Sequence, residues 1–79
     1  DVRSKIRAII CEVGEIADAE SVTDHANLFV DLGLDSMQAM EIVLEIERRL
    51  GLKVTEDDLK EIRSLDDAVR VAQREGTVK

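Results

Sequence analysis

Proline, tryptophan and tyrosine do not occur among the 79 residues, and there is one phenylalanine, one cysteine and one histidine. Without aromatic side chains there is no platform on which nucleobases could stack. Acidic residues number 18 against 11 basic ones, for a net charge of −7, so the basic stripe that binds phosphate backbones is missing as well. These two absences exclude nucleic acid as a partner. A single cysteine, Cys11, cannot close an internal disulfide, so nothing marks a secreted, cross-linked scaffold. One cysteine and one histidine cannot build a zinc site between them, and no metal site is expected. No apolar run approaches the roughly 18 residues of a membrane span, and no signal-peptide pattern is visible. The expectation is a cytoplasmic protein without a membrane span. The chain opens on Asp1 rather than Met, which reads as trimmed, processed or excised from something longer.

What is present is a chain 44% hydrophobic and 37% charged. A disordered chain of this charge would lack so many Ile, Leu and Val residues. The length reads as one small domain, residues 1–79. A domain of this size buries roughly 60% of its unfolded surface, which leaves a thin core and little room for an enclosed active site. An enzyme is disfavoured on size alone. The acidic surface suits partners with basic patches, found quickly by electrostatic steering.

Along the chain, Val2, Ile6, Ile9, Ile10, Val13 and Ile16 recur at spacings of three and four, predicting a helix from about Val2 to Ala17. Cys11 points away from that stripe and is read as an inert residue near the surface. Ala17 to Asp35 has no helical period and is rich in the loop formers Ser21, Thr23, Asp24 and Asn27. Its apolar residues must tuck into the bundle, with Leu28 and Leu32 as anchors. Val30, Leu32 and Leu34 alternate like a strand, but no second segment offers a pairing edge, so a strand is rejected.

Asp35 with Gln38 forms a capping-box pair that opens a helix from about Ser36 to Leu50, entered through Gly33 and ended by Gly51. Thr55 with Asp58 opens a short helix, about Glu56 to Ile62, and the Asp57-Asp58 pair reads as N-terminal charge on it. Ser64 with Asp67 opens a last helix, about Leu65 to Arg74, with Leu65, Ala68, Val69 and Ala72 as its apolar stripe and Gly76 closing it. The fold class that follows is all-α: a small four-helix bundle of three main helices and one short one, with a long loop between the first two.

The Ser36–Leu50 helix is more apolar than a bundle requires. Ala39, Ile42, Val43, Ile46 and Leu50 make one face. Met37, Met40 and Leu44 make a second, offset by roughly 140° on a 3.6-residue helix. Glu41 and Glu47 border this second stripe. Two readings stand: ordinary core packed by the long loop, or an adaptable, acid-edged docking strip for basic, apolar partners. Ser36 sits in the first turn, where unpaired backbone N–H groups and the helix dipole favour an anion, so a phosphate ester on its hydroxyl would be well placed. A serine in a first turn is also a common helix start.

Catalytic readings fare poorly. Ser36 has no base beside it in sequence, since His25 lies in the loop next to Asp24 and reads as solvated. The residues around it, Gly33-Leu34-Asp35-Ser36-Met37, are not a nucleophile elbow. Neither the Asp24–Asn27 run nor Asp31 through Asp35 has the order of a calcium loop.

Asp31-Leu32-Gly33-Leu34-Asp35-Ser36-Met37 resembles the D-L-G-x-D-S-[LM] signature of acyl carrier proteins, and Glu41 to Glu47 resembles the acidic recognition helix of that family. Leu50 to Val54 resembles the turn after it, and the likeness extends over nearly the whole chain. The resemblance implies a four-helix bundle that is not an enzyme. It implies covalent 4′-phosphopantetheine, taken from coenzyme A by a phosphopantetheinyl transferase, on Ser36, with Asp35 part of the attachment site. It implies acyl groups held as thioesters on the arm and handed between acyl-loading, condensing and processing enzymes, the protein acting as a monomer. On this reading Met37, Met40, Glu41, Leu44 and Glu47 form the partner-docking surface. Apart from the resemblance, the short helix offers few contacts and should open at low cost, so the gap between it and the Ser36 helix, lined by Val43, Ile46, Leu59 and Ile62, is expected to take the cargo.

Arg48 and Arg49 interrupt the acidic run of the recognition helix, which bears on which basic partners dock. Leu34 and the Leu28-Phe29 pair look like carrier domains of polyketide assembly lines, and Gly33-Leu34 lacks the Gly-Gly of peptidyl carriers. The reading leans to a polyketide-type or specialised discrete acyl carrier, with fatty-acid type beside it. The alternatives are an aminoacyl or peptidyl carrier, an unmodified acidic helical interaction module and, last, a small hydrolase using Ser36.

Overall fold

The computed structural model describes residues 1–76 and has four α-helices in the expected order. They are α1 (Val2–Gly14), α2 (Ser36–Leu50), α3 (Glu56–Glu61) and α4 (Leu65–Gly76), with one 3₁₀ turn at Ala19–Ser21. No strand occurs among the described residues, and none of their helices is long and apolar enough to cross a membrane. α1 packs against both α2 and α4, and α3 leans chiefly on α4. The core is the meeting of Ile6, Ile9 and Ile10 with Ile42, Val43 and Ile46 and with Leu65, Ala68, Val69 and Ala72, joined by Val71.

α1 stops three residues short of the predicted end. Glu15 takes a left-handed conformation, φ 55°, and the N–H groups of Glu15 and Ile16 fold back onto the carbonyls of Glu12 and Cys11, at 3.3 and 2.9 Å. This closes the helix and satisfies carbonyls that would otherwise be orphaned. α4 runs two residues beyond Arg74 and takes Gly76 as its last helical residue, while α3 ends at Glu61 with Ile62 as its C-cap.

The predicted caps on α2 and α3 are formed in full. The Asp35 carboxylate accepts from Gln38 N–H at 2.8 Å and the Gln38 side chain accepts from Asp35 N–H at 3.1 Å. Thr55 and Asp58 do the same, at 3.0 and 3.2 Å. Ser64 Oγ accepts from Asp67 N–H at 3.3 Å, and the Asp67 carboxylate accepts from Arg63 N–H at 3.0 Å. Burial pushes the Asp67 carboxyl upward, yet that Arg63 bond, Arg70 and Ser64 together hold it below its ordinary value.

The long loop is tied down at several points. Leu28 N–H donates to Arg63 O at 2.8 Å, and Asp66 N–H donates to Asp24 O at 2.9 Å, so the loop is stitched to the α3–α4 link and to the first turn of α4. Arg3 donates to Asp24 at 2.9 Å and to Asp66 at 3.3 Å, fastening α1 to the same seam. Leu28 is fully buried as expected, and Leu32 packs at the edge of the core. Val22 and Leu34 are buried too, beyond the two anchors read from the sequence.

Candidate functional site

Three short segments build the approach to Ser36. Gly33 adopts φ +73°, a left-handed turn that side-chain-bearing residues avoid. Leu34 is then buried, and its N–H donates to Leu28 O at 3.0 Å. Asp35, in extended conformation, caps α2. Ser36 follows as the first helical residue, exposed to solvent. Among the described residues its hydroxyl has no hydrogen-bond partner, and neither His25, exposed in the loop, nor any other base is bonded to it. Ser36 thus stands exposed on the first turn of a capped helix, where the unpaired N–H groups and the dipole favour an anion.

Beside Ser36 lies an apolar cleft of about 400 Å³. Leu28 and Phe29 from the loop, Met37, Met40, Ile42 and Val43 from α2, and Leu59 and Ile62 from the α3 region line it. Three of the four residues read as the cargo gap are therefore together here. Ile46 is not among the lining residues; it is 1% exposed and packs inside the three-helix core. The loop contribution of Leu28 and Phe29 was not read from the sequence. Phe29 is where it is because the Asn27 side chain accepts from both Phe29 N–H and Val30 N–H at 2.8 Å. That turn leaves Val30 facing solvent and Phe29 at the cleft.

The second stripe of α2 is exposed. Met37 is 79%, Met40 46% and Leu44 56% accessible, which removes the ordinary-core reading for these three. Leu44 borders a separate shallow groove with Val13, Glu41, Glu45 and Arg48. Glu41 is exposed and makes no ion pair among the described residues. Glu47 differs: it is half-buried, and its carboxylate accepts from Val54 N–H at 2.8 Å, bracing the turn after α2. Arg48 and Arg49 both pair with Glu45, and Arg49 also reaches Glu12 on α1 at 2.7 Å. That hydrogen bond from Arg49 holds the Glu12 carboxyl below its ordinary range. The two arginines are spent within the molecule, and the acidic edge of the exposed stripe is concentrated at Glu41.

Asp58 is more than helix-start charge. It is 5% exposed, and besides its cap role it receives Arg74 of α4. The Glu75 carboxyl hydrogen-bonds it, and with Thr55 and Arg74 this lowers Asp58 to about 2, while Glu75 itself is raised by the same contact. The Cys11 thiol is half-buried and pushed up by desolvation, which makes it a poor nucleophile. No group of three acidic, histidine or cysteine side chains is placed to hold a metal among the described residues.

Residues 4–72 match the family model described as phosphopantetheine attachment site. The chain is 34% identical over 74 residues to an acyl carrier protein of Thermotoga maritima, covering 94% of this chain and 90% of that protein. It is 34% identical over 73 residues to an acyl carrier protein of Phenylobacterium zucineum, covering 92% and 91% respectively. A putative mitochondrial acyl carrier protein of Schizosaccharomyces pombe is 33% identical over 69 residues, and there the chain spans 62% of the relative's length. The chain belongs to the acyl carrier protein family, whose members are carriers with a 4′-phosphopantetheine prosthetic group and not enzymes.

Proposed function

We propose that Ser36 is the attachment point of 4′-phosphopantetheine and that the protein carries acyl intermediates as thioesters between biosynthetic enzymes. The observation that carries the reading is Ser36 itself: an exposed, unengaged hydroxyl on the first turn of a firmly capped helix, at the edge of an apolar cleft. The residues present fit the group. The α2 N-terminus offers N–H groups and a favourable dipole to a phosphodiester, and the family match supports a serine in this position. When bound, the group supplies a terminal thiol on a long arm. The chain's own part is to orient and to shelter. Asp35 keeps the helix start formed, Gly33 and Leu34 fix the approach, and the cleft of about 400 Å³ offers the cargo a refuge from water. Each methylene buried there is worth up to about 0.8 kcal/mol, and tethering removes most of the association cost.

Met37, Met40, Glu41 and Leu44 form the surface on which a phosphopantetheinyl transferase and the loading, condensing and processing enzymes dock. Glu47 contributes to it only through the turn it braces. Residues 1–79 form one carrier domain, which acts as a monomer, in the cytoplasm, on a polyketide or fatty-acid type of acyl chain. Relatives named as mitochondrial make the mitochondrion the alternative compartment. The decisive experiment is incubation with coenzyme A and a promiscuous phosphopantetheinyl transferase, followed by intact-mass analysis. One phosphopantetheine on the wild type and none on Ser36→Ala is the expected result; addition to the alanine variant rejects the assignment.

A further inference from the structure

α3 has six residues, fewer than two turns. An isolated helix needs about 12–15 residues to persist in water, so α3 depends on what holds it. Its two functional faces lie about 100° apart around the axis. Leu59, with Ile62 just past the helix end, faces the cleft. Asp58 and Glu61 face the end of α4, where Arg74 meets both: one guanidinium nitrogen on the Asp58 carboxylate, the other 3.3 Å from Glu61 Oε1. The Arg74 Nε stands 3.9 Å from the neighbouring Glu75 carboxylate. Asp58 also accepts from Thr55 N–H at 3.2 Å, so a single carboxylate both starts α3 and ties it to α4.

An apolar gap beside so weakly supported a helix closes by burying its own walls unless the helix is held from the far side. We propose that Arg74 is a positioning residue that holds α3 against α4 through Asp58 and Glu61 and so keeps the cleft open toward α2. For what fills the cleft, the inference rests on the carrier reading; for the latch itself it does not. Without Arg74, α3 either frays or folds over the gap, and the cargo site is lost in both cases. Arginine is required because its planar fork reaches two carboxylates at once, which a lysine ammonium on a flexible stem does not do as a fixed geometry.

The test uses the protein without its prosthetic group and a neutral apolar fluorophore, N-phenyl-1-naphthylamine, located in the cleft by shifts of the Leu59 and Ile62 amide signals. Arg74→Gln is expected to speed amide exchange in α3 about tenfold, to leave α1 and α2 amides unchanged, and to weaken probe binding by a similar factor. Arg74→Lys is expected to fall between. Should Arg74→Gln not fold, Glu61→Gln removes one arm of the fork and is expected to weaken probe binding about threefold. Probe affinity within twofold of wild type in the folded variant overturns the proposal, even if α3 exchange rises, because Arg74 would then stabilise without positioning. Absence of probe binding to wild type overturns it as well. Failure of Ser36 to be primed strikes the carrier reading and leaves the latch standing.

Discussion

Gly14 and Leu34 sit so close that a β-carbon at position 14 would stand 2.8 Å from Leu34 Cδ2, and the Leu34 side chain would have to shift to admit it. The end of α1 and the residue two before Ser36 are thus fitted to one another. Leu34 is 6% exposed and anchors the backbone that presents Asp35 and Ser36. Leu34→Ala removes that anchor and leaves a cavity, so it is expected to cost about 2–4 kcal/mol in denaturant unfolding. Priming of Ser36 by the transferase should slow in the same variant, under conditions where it remains folded. A loss below about 0.5 kcal/mol would show that the loop is held elsewhere.

The Asp35 carboxylate has two separable duties. As N-cap it receives Gln38 N–H at 2.8 Å, and Asp35→Ala is expected to lower stability by about 1 kcal/mol. Asn caps a helix about as well as Asp, so Asp35→Asn should retain the stability while losing the charge. If the transferase reads the charge, Asp35→Asn slows priming as strongly as Asp35→Ala. Equal priming of Asp35→Asn and wild type, followed by mass spectrometry over time, would reduce Asp35 to a cap.

These caps were legible in the sequence because they are local. Asp35 and Gln38, or Thr55 and Asp58, lie three residues apart and declare a helix start without help from the rest of the chain. Gly33 and Gly51, with φ +73° and +67°, are legible for the same reason. Glu15 is not, since a glutamate carries no signal for a left-handed cap, and the helical period alone runs three residues past the end of α1. The cleft was half legible. Val43, Leu59 and Ile62 follow from helix periodicity, but Leu28 and Phe29 arrive by a loop whose course is set by a backbone bond to Arg63, far away in sequence. Ile46 shares the periodicity of Val43 and turns to the core, a distinction only packing makes. The Arg74–Asp58 pair spans sixteen residues and has no sequence signature.

Glu15 itself offers a test. A non-glycine residue at φ 55° is held against its preference. Glu15→Gly is expected to raise stability by about 0.5–1 kcal/mol, the strain relieved exceeding the extra entropy of the unfolded glycine. Glu15→Val, β-branched, should lower it. Chemical unfolding of the three proteins measures both, and a destabilised glycine variant would mean that the Glu15 side chain earns its place by other contacts.

The Asp58 and Glu75 carboxyls should give stability an uneven response to acid. Asp58 is lowered from 3.8 to about 2 in the folded protein, so its contribution is present above pH 3.8 and is lost as pH falls through about 2. Glu75 is raised above 4.5, so its contribution is complete below pH 4.5 and is lost as pH rises through its folded value. Wild type should therefore gain on Glu75→Gln as pH falls from 7 toward 4.5, since the glutamine amide donates to Asp58 at every pH. It should lose ground to Asp58→Asn below pH 3.8. Melting curves for the three proteins across this range check both signs, and parallel curves would remove the shared contact.

Val43 and Leu44 are neighbours on α2 with opposite surroundings, 4% and 56% exposed. Val43→Ala is expected to cost about 1–3 kcal/mol through lost packing. Leu44→Ala touches no core and should stay within about 0.5 kcal/mol of wild type. If the exposed stripe is the docking surface, the order reverses for partners: Leu44→Ala weakens transferase binding, and Glu41→Lys weakens it further by turning attraction into repulsion. Raising salt from about 0.1 to 1 M shortens the screening length from about 10 to 3 Å, and should weaken wild-type docking while partly restoring that of Glu41→Lys, whose repulsion is screened. Met40 is a poorer probe than Leu44, because it also lines the cleft, and its loss would blend docking with cargo. Binding unchanged in Leu44→Ala and in Glu41→Lys would leave this helix face without a partner and move the docking surface elsewhere.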